Sequence, residues 1–223
     1  MHTIQIYPSL LAADFANLSQ EIGTVEKAGA DGIHFDVMDG HFVPNISFGA
    51  VVLHSIRKIT TLPFWVHLMI TEPQKFISDF KQAGADGIFV HPEIDYDIRM
   101  LVQEMTRLGV QPGMAVNPET KIEDIKEFLP YFQDFLIMTV NPGFGGQKMM
   151  ADVLPKVKQI KGAREEPVRV HVDGGVNHDT VSEVAKAGTD ILVAGSSIFR
   201  QKDKAGALKR LRQMANEALE KNE

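Results

Sequence analysis

One pattern recurs along this chain and limits what it can fold into. KAGADGIHFDVMDG begins at Lys27, QAGADGIFVHPE at Gln82 and KAGTDILVAGSS at Lys186. Each reads as the end of a helix, a glycine, and a short apolar strand with polar residues at its far end. Gly29, Gly84 and Gly188 stand where a left-handed residue closes a helix, a conformation glycine adopts at little cost. The repeating unit is helix, tight turn, strand. Strands that alternate with helices imply right-handed crossovers and a parallel sheet.

Counting these units gives eight strand candidates: Ile4–Pro8, Gly32–Met38, Pro63–Met69, Gly87–Val90, Gln111–Val116, Phe135–Met138, Val168–Val172 and Ile191–Ala194. Amphipathic stretches lie between them. Ile122, Ile125, Phe128 and Leu129 follow what reads as a capping box of Thr120 and Glu123. Val153, Val157 and Ile160 precede the seventh strand, and Val181, Val184 and Ala185 the eighth. No Ser/Gly-rich linker or charge block divides the 223 residues, of which 44% are hydrophobic. The expectation is one domain over residues 1–223, a single (β/α)8 TIM barrel. A doubly wound open sheet is the rival, but it usually has fewer strands, and no GxGxxG follows the first strand. Trp65 is expected outside the barrel core. The run from Arg200 to the end reads as a solvated helix covering the barrel.

Composition removes several function classes. The 23 Lys+Arg against 29 Asp+Glu leave a net charge of −6, which argues against a nucleic-acid partner. With no cysteine, disulfides, Fe–S clusters, thiol catalysis and zinc-finger sites are excluded, so a metal could be held only by His, Asp or Glu. The opening MHTIQIYPSLLAADF lacks the basic and long apolar regions of a signal peptide. Apolar runs such as Phe135 to Val140 are too short to cross a membrane. A cytoplasmic protein with no membrane partner is expected, as a homo-oligomer.

In such a barrel, chemistry gathers at the C-terminal ends of the strands. Strand one ends in Ser9. Strand two carries His34, Asp36 and Met38 at period two, so all three point to one side. Strand three carries His67 and Met69 in the same way, strand four ends in His91, strand five holds Met114 and then Asn117, and strand seven ends in Asp173. His34, Asp36, His67 and Asp173 form a candidate site for one divalent metal. A lone strand histidine is usually a hydrogen-bonded core residue, but inward carboxylates left unpaired would be costly. This N/O set suits Zn²⁺, Mn²⁺, Fe²⁺ or Co²⁺ without choosing among them. Met38, Met69 and Met114 are read either as core fillers or as a soft apolar lid near the reacting intermediate. His2, His41, His54 and His178 are assigned to surface or packing roles.

NPGFGGQ, Asn141 to Gln147, follows strand six. Gly143, Gly145 and Gly146 let backbone N–H groups approach an anion around Phe144. Asp173-Gly174-Gly175 ends strand seven and Gly195-Ser196 ends strand eight. Loops after the last barrel strands are the usual phosphate site of this architecture, so a phosphorylated substrate is inferred. Carboxylates on strands two and seven, with a cation between them, suit removal and return of a proton beside a carbonyl through an enediolate. A Schiff-base aldolase would need a strand-end lysine, and none is present.

HFDVMDGHFVPN, VHLMI, NPGFGGQ, VDGGVN and VAGSSIF, with PSLLAADF before them, closely resemble the ribulose-phosphate 3-epimerase family over Pro8 to Phe199. The resemblance implies interconversion of D-ribulose 5-phosphate and D-xylulose 5-phosphate in the pentose phosphate pathway, with one divalent metal, usually zinc. It makes His34, Asp36, His67 and Asp173 the ligands, Asp36 the proton acceptor and Asp173 the donor. Ser9 and His67 would contact the sugar, and Gly143 to Gly146, Gly175, Gly195 and Ser196 the phosphate. Three departures stand out. Tyr7 replaces the family's usual alanine, His171 its usual glutamate, and Phe64-Trp65 its commoner Leu-Asp. They leave room for the related D-allulose-6-phosphate 3-epimerase activity on a hexulose phosphate. A barrel that binds a sugar phosphate without catalysis is disfavoured by the intact aspartates. A lyase of the hexulose-phosphate synthase type would need a D-x-K-x-x-D signature, which is absent.

Overall fold

A computed structural model describes residues 3–220, so His2 lies outside the described residues. Eight strands form one parallel sheet: β1 (Gln5–Pro8), β2 (Ile33–Met38), β3 (Phe64–Met69), β4 (Gly87–Val90), β5 (Gln111–Val116), β6 (Asp134–Met138), β7 (Arg169–Asp173) and β8 (Ile191–Ala194). From β2 to β8 each strand pairs with its sequence neighbour, and β8 returns to pair with β1. Between β1 and β2 the seam is closed more loosely. Ser9 bridges His34, and the Asp31 N–H donates to the Ile6 carbonyl at 3.0 Å. The result is a nearly closed (β/α)8 barrel.

The outer layer follows the crossover rule. It comprises α1 (Leu18–Lys27), α2 (Ala50–Arg57), α3 (Ile77–Ala83), α4 (Ile98–Arg107), α5 (Pro155–Gly162), α6 (Val181–Lys186), the short α7 (Ser196–Phe199) and α8 (Lys204–Glu220). Gly29, Gly84 and Gly188 have φ of 96°, 105° and 95°. These are the left-handed turns that send α1, α3 and α6 back into strands. Leu208, Leu211 and Ala215 of α8 are buried, where the helix packs against α1 and α6.

The crossover between β5 and β6 differs from expectation. Ile122–Ile125 and Leu129–Tyr131 are short 3-10 turns rather than one helix. Thr120 makes no cap; its hydroxyl donates to Glu93 instead. Lys156 explains why, because its Nζ donates to the carbonyls of Asn117, Pro118 and Thr120 at 2.9, 2.7 and 2.7 Å and sets the loop's path.

Both faces of the sheet are buried. Outward residues such as Phe35, Val66, Ile88, Phe135 and Val172 join the helices in the main core. Burying each such side chain is worth about 1.5–3 kcal/mol. Inward residues Tyr7, Trp65, Phe89, Leu136, Met138, Ile191 and Val193 fill the barrel as a separate cluster. Trp65 is therefore inside, not outside, at the same parity as His67 and Met69 on β3. Room for the large rings comes from glycine on the adjoining strand. Trp65 is in register with Gly87 and Phe89 with Gly113. A Cβ on Gly87 would lie 2.6 Å from the Trp65 ring, and one on Gly113 2.3 Å from Phe89. Among the described residues no helix is long and apolar enough to cross a membrane.

Candidate active site at the barrel mouth

Strand alternation brings four expected ligands to one point. His34 and Asp36 come from β2, His67 from β3 and Asp173 from the end of β7, and one donor atom of each lies within 4.8 Å of the others. Asp36 Oδ1 is 3.1 Å from both His34 Nε2 and His67 Nδ1, and its Oδ2 accepts from Ser9 Oγ at 2.6 Å. His34 Nε2 is also 3.6 Å from Asp173 Oδ2. Two imidazole nitrogens converging on one carboxylate oxygen, with a second carboxylate facing them, form a donor set of the kind that binds a divalent cation. The residues fit such an ion.

Burial and neighbours pull the two carboxylates apart electrostatically. Burial raises the pKa of Asp36, but the His34 and His67 contacts outweigh it and hold the carboxyl well below its usual range. Asp173 is pushed up to about 7 by burial, opposed by His34 and reinforced by the negative charge of Asp36. His67 is lowered to about 4, mainly by burial, against the pull of Asp36. For His34, burial lowers the pKa but Asp36 more than offsets it, so the net direction is upward. Two carboxylates with opposed proton affinities can serve as base and acid at the same pH.

The cleft above this cluster is walled by Ser9, Met38, Met69, Met138, Gly145 and Ser196, among others. Met114 is not in the wall. On β5 the inward positions are Gly113 and Ala115, so Met114 points into the helix-facing core. The third methionine at the site is Met138 of β6, which is in register with Asp173. The alternation that identified His34, Asp36 and Met38 would have found it.

The glycine-rich loop forms the other wall. Gly143 and Gly146 have φ of 124° and 81°, which Cβ-bearing residues rarely adopt. Gln147 Nε2 braces the loop by donating to the carbonyls of Asn141 and Phe144 at 2.7 and 2.9 Å. From the β2–α2 connection, Asn45 Nδ2 donates to the Gly143 carbonyl at 2.8 Å. Gly145, Gly146, Gly174, Gly175 and Gly195 share this wall with Phe144 and Ser196, and among the described residues no Lys or Arg lines it. A Cβ on Gly175 would come 2.5 Å from the Met149 nitrogen, so only glycine fits there.

His91 is the residue whose part the sequence left open. It is fully buried, and its Nε2 lies 2.8 Å from His67 Nε2. Tyr7, Trp65 and His171, the three departures, do not line the cleft. They meet below it, with ring centroids 5.7 Å apart for Tyr7–His171 and 5.3 Å for Trp65–His171. His171 Nε2 is 3.1 Å from the buried Asp134, which also accepts from Arg169 at 2.9 Å.

Comparison with known proteins agrees with this geometry. A solved 3-hexulose-6-phosphate synthase from Salmonella typhimurium superposes with a TM-score of 0.72 at 20% identity, over 96% of this chain and 100% of that one. At that identity the likeness speaks for the fold alone. Ribulose-phosphate 3-epimerase of Bacillus subtilis (strain 168) is 46% identical over 213 residues, 94% of this chain and 98% of its own length. The protein of that name from Synechocystis is 41% identical over 92% of this chain and 91% of its own. Residues 5–199 match the Ribulose-phosphate 3 epimerase family. With the barrel, the paired aspartates and the glycine-walled cleft in place, the chain belongs to that family and is an isomerase, an epimerase.

Proposed function

We propose that the chain interconverts D-ribulose 5-phosphate and D-xylulose 5-phosphate by moving the C3 proton between Asp36 and Asp173. The observation that carries this reading is the opposed pair itself: Asp36 on β2 and Asp173 at the end of β7 approach His34 Nε2 at 3.1 and 3.6 Å, and both line the same glycine-walled cleft. Asp36 removes the proton from one face of the sugar, and protonated Asp173 returns one to the opposite face, which inverts the centre. In the reverse direction the roles exchange.

His34, Asp36, His67 and Asp173 would hold one divalent cation, with zinc preferred and manganese, iron or cobalt as alternatives. When bound, the ion supplies Lewis-acid polarisation of the ketose oxygens. Ser9 fixes the orientation of the Asp36 carboxylate. Met38, Met69 and Met138 give the reacting carbon an apolar surround that keeps water from the exposed carbanionic centre. Backbone N–H groups around Gly145, Gly146, Gly175, Gly195 and Ser196 would receive the phosphate, a recognition mode that needs no cationic side chain. The names of the relatives favour the pentulose over a hexulose phosphate, and the departures Tyr7, Trp65 and His171 sit below the cleft rather than in its wall.

The test is exchange of the C3 proton with deuterated solvent, alongside turnover. Asp36→Asn and Asp173→Asn should each abolish turnover, and a chelator should suppress it in the unaltered protein. Full activity in either variant would sink the two-base scheme. A higher kcat/KM on allulose 6-phosphate than on ribulose 5-phosphate would move the substrate to the hexulose.

A further inference from the structure

The ligand cluster does not end at His67. The Nδ1 of His67 faces Asp36, so its Nε2 points away from the cluster, 2.8 Å from His91 Nε2. Both rings are fully buried and lie nearly parallel, with centroids 5.0 Å apart at 29°. Two imidazole nitrogens at this distance share a single proton, and which ring owns it decides the state of both. On the far side, His91 Nδ1 is buried and has no tighter contact than Glu93 Oε2 at 3.4 Å. Glu93 in turn accepts from the Thr120 hydroxyl, and Lys156 holds the Thr120 carbonyl at 2.7 Å.

Only two neutral arrangements satisfy this chain. In one, His67 carries its proton on Nε2 and donates to His91, whose own proton sits on Nδ1 facing Glu93. His67 Nδ1 then has a free lone pair for a cation. In the other, both protons move one place toward the cluster. His91 donates through Nε2, and His67 carries its proton on Nδ1, facing Asp36 and unable to bind metal. Asp36 and Glu93 therefore compete, at opposite ends of a two-ring wire, for the same tautomeric choice.

We propose that His91 and Glu93 are positioning residues of the metal centre: Glu93 orders the His91 tautomer, and His91 thereby keeps His67 Nδ1 open for the cation. This rests on the metal reading above. Neither residue touches the sugar. Their effect is on how tightly and in what geometry the ion is held, and partners one step behind a metal ligand commonly change affinity by about 10- to 100-fold.

The experiment titrates the metal-free protein with Zn²⁺ against a competing chelator, and with Co²⁺ to follow the visible absorption bands. His91→Leu should weaken Zn²⁺ binding by about 10- to 100-fold. His91→Gln, whose amide oxygen can still accept from His67, should recover part of the loss. Glu93→Gln, at a partly exposed position that tolerates an isosteric change, should weaken binding by a smaller factor and alter the Co²⁺ bands. Imidazole ¹⁵N shifts of metal-free Glu93→Gln should show His67 moving toward the Nδ1-protonated form. If the unaltered protein binds one Zn²⁺ and folded Glu93→Gln matches it within twofold with unchanged ¹⁵N shifts, the positioning role is overturned. If the unaltered protein binds no divalent ion at all, the metal reading itself has failed.

Discussion

Replacing Asp173 by Asn should destroy catalysis and yet stabilise the metal-free protein. The carboxyl sits in a largely buried site facing ionised Asp36, and its pKa rises from 3.8 to about 7, with burial the main cause and Asp36 adding to it. A folded-state pKa above the unfolded value means that the folded protein binds the extra proton. The associated stability is complete below about pH 4 and is lost as pH rises through about 7. At 1.36 kcal/mol per unit the loss has a ceiling of about 4 kcal/mol. The Asp173 side chain is 19% exposed at the cleft, so water relieves part of it and about 1–3 kcal/mol remains. Asparagine has the same shape and nothing to ionise, so it escapes the penalty. Urea unfolding in chelator should show Asp173→Asn equal to the unaltered protein only below about pH 4 and progressively more stable up to pH 7.5, with a melting temperature there about 2–10 °C higher. Adding Zn²⁺ should reverse the order, because only the unaltered protein gains binding energy from a complete ligand set. A variant that is no more stable at pH 7.5 in chelator, or a difference that does not grow with pH, would refute the account of Asp173 as a strained acid.

Two further outcomes follow from the site's geometry. Ser9→Ala deletes the 2.6 Å hydrogen bond to Asp36; bonds to charged groups are worth about 1.5–3 kcal/mol, so kcat/KM should fall about 10- to 100-fold while Ser9→Thr keeps most activity. An unchanged kcat/KM in Ser9→Ala would take Ser9 out of the machinery. The two methionines separate stability from chemistry. Met114→Ala empties a fully buried helix-facing position and should cost about 2–5 kcal/mol in denaturant unfolding with turnover per folded molecule intact. Met138→Ala, in the cleft wall, should slow turnover more than it destabilises, and the opposite ranking would contradict the register of β5 and β6.

The barrel was legible because it is written in two independent signals, the helix–glycine–strand repeat and the apolar runs of strands buried on both faces. The observed strand ends differ from expectation by about a residue. His34, Asp36 and His67 were legible for the same reason: period two leaves no choice of face once one residue of the strand is inward. Met114 and Trp65 went astray where that rule was not applied. Parity puts Gly113 and Ala115 of β5 inside and turns Met114 toward the helices, and Trp65, two residues before His67, shares that residue's inward direction. The Thr120–Glu123 capping signature failed for a different cause. A carboxylate 27 residues earlier, Glu93, takes the Thr120 hydroxyl in place of the local backbone, and such a long-range competitor leaves no local trace. The His67–His91 contact lies between these cases, visible from strand adjacency and parity but not from spacing along the chain.

Tyr7, Trp65 and His171 look like three unrelated departures along the chain, yet the Tyr7 and Trp65 rings both pack on His171 beneath the cleft. Two of them are also matched to a glycine opposite: a Cβ on Gly32 would lie 2.5 Å from the Tyr7 ring, and one on Gly87 2.6 Å from the Trp65 ring. Truncating any one of them would leave a void beside its neighbours, and truncating Tyr7 or Trp65 would remove part of the cover over the His171 contact with Asp134. Such changes are non-additive. The floor therefore behaves as one packing unit, in which a change at any of the three rings is felt by the others.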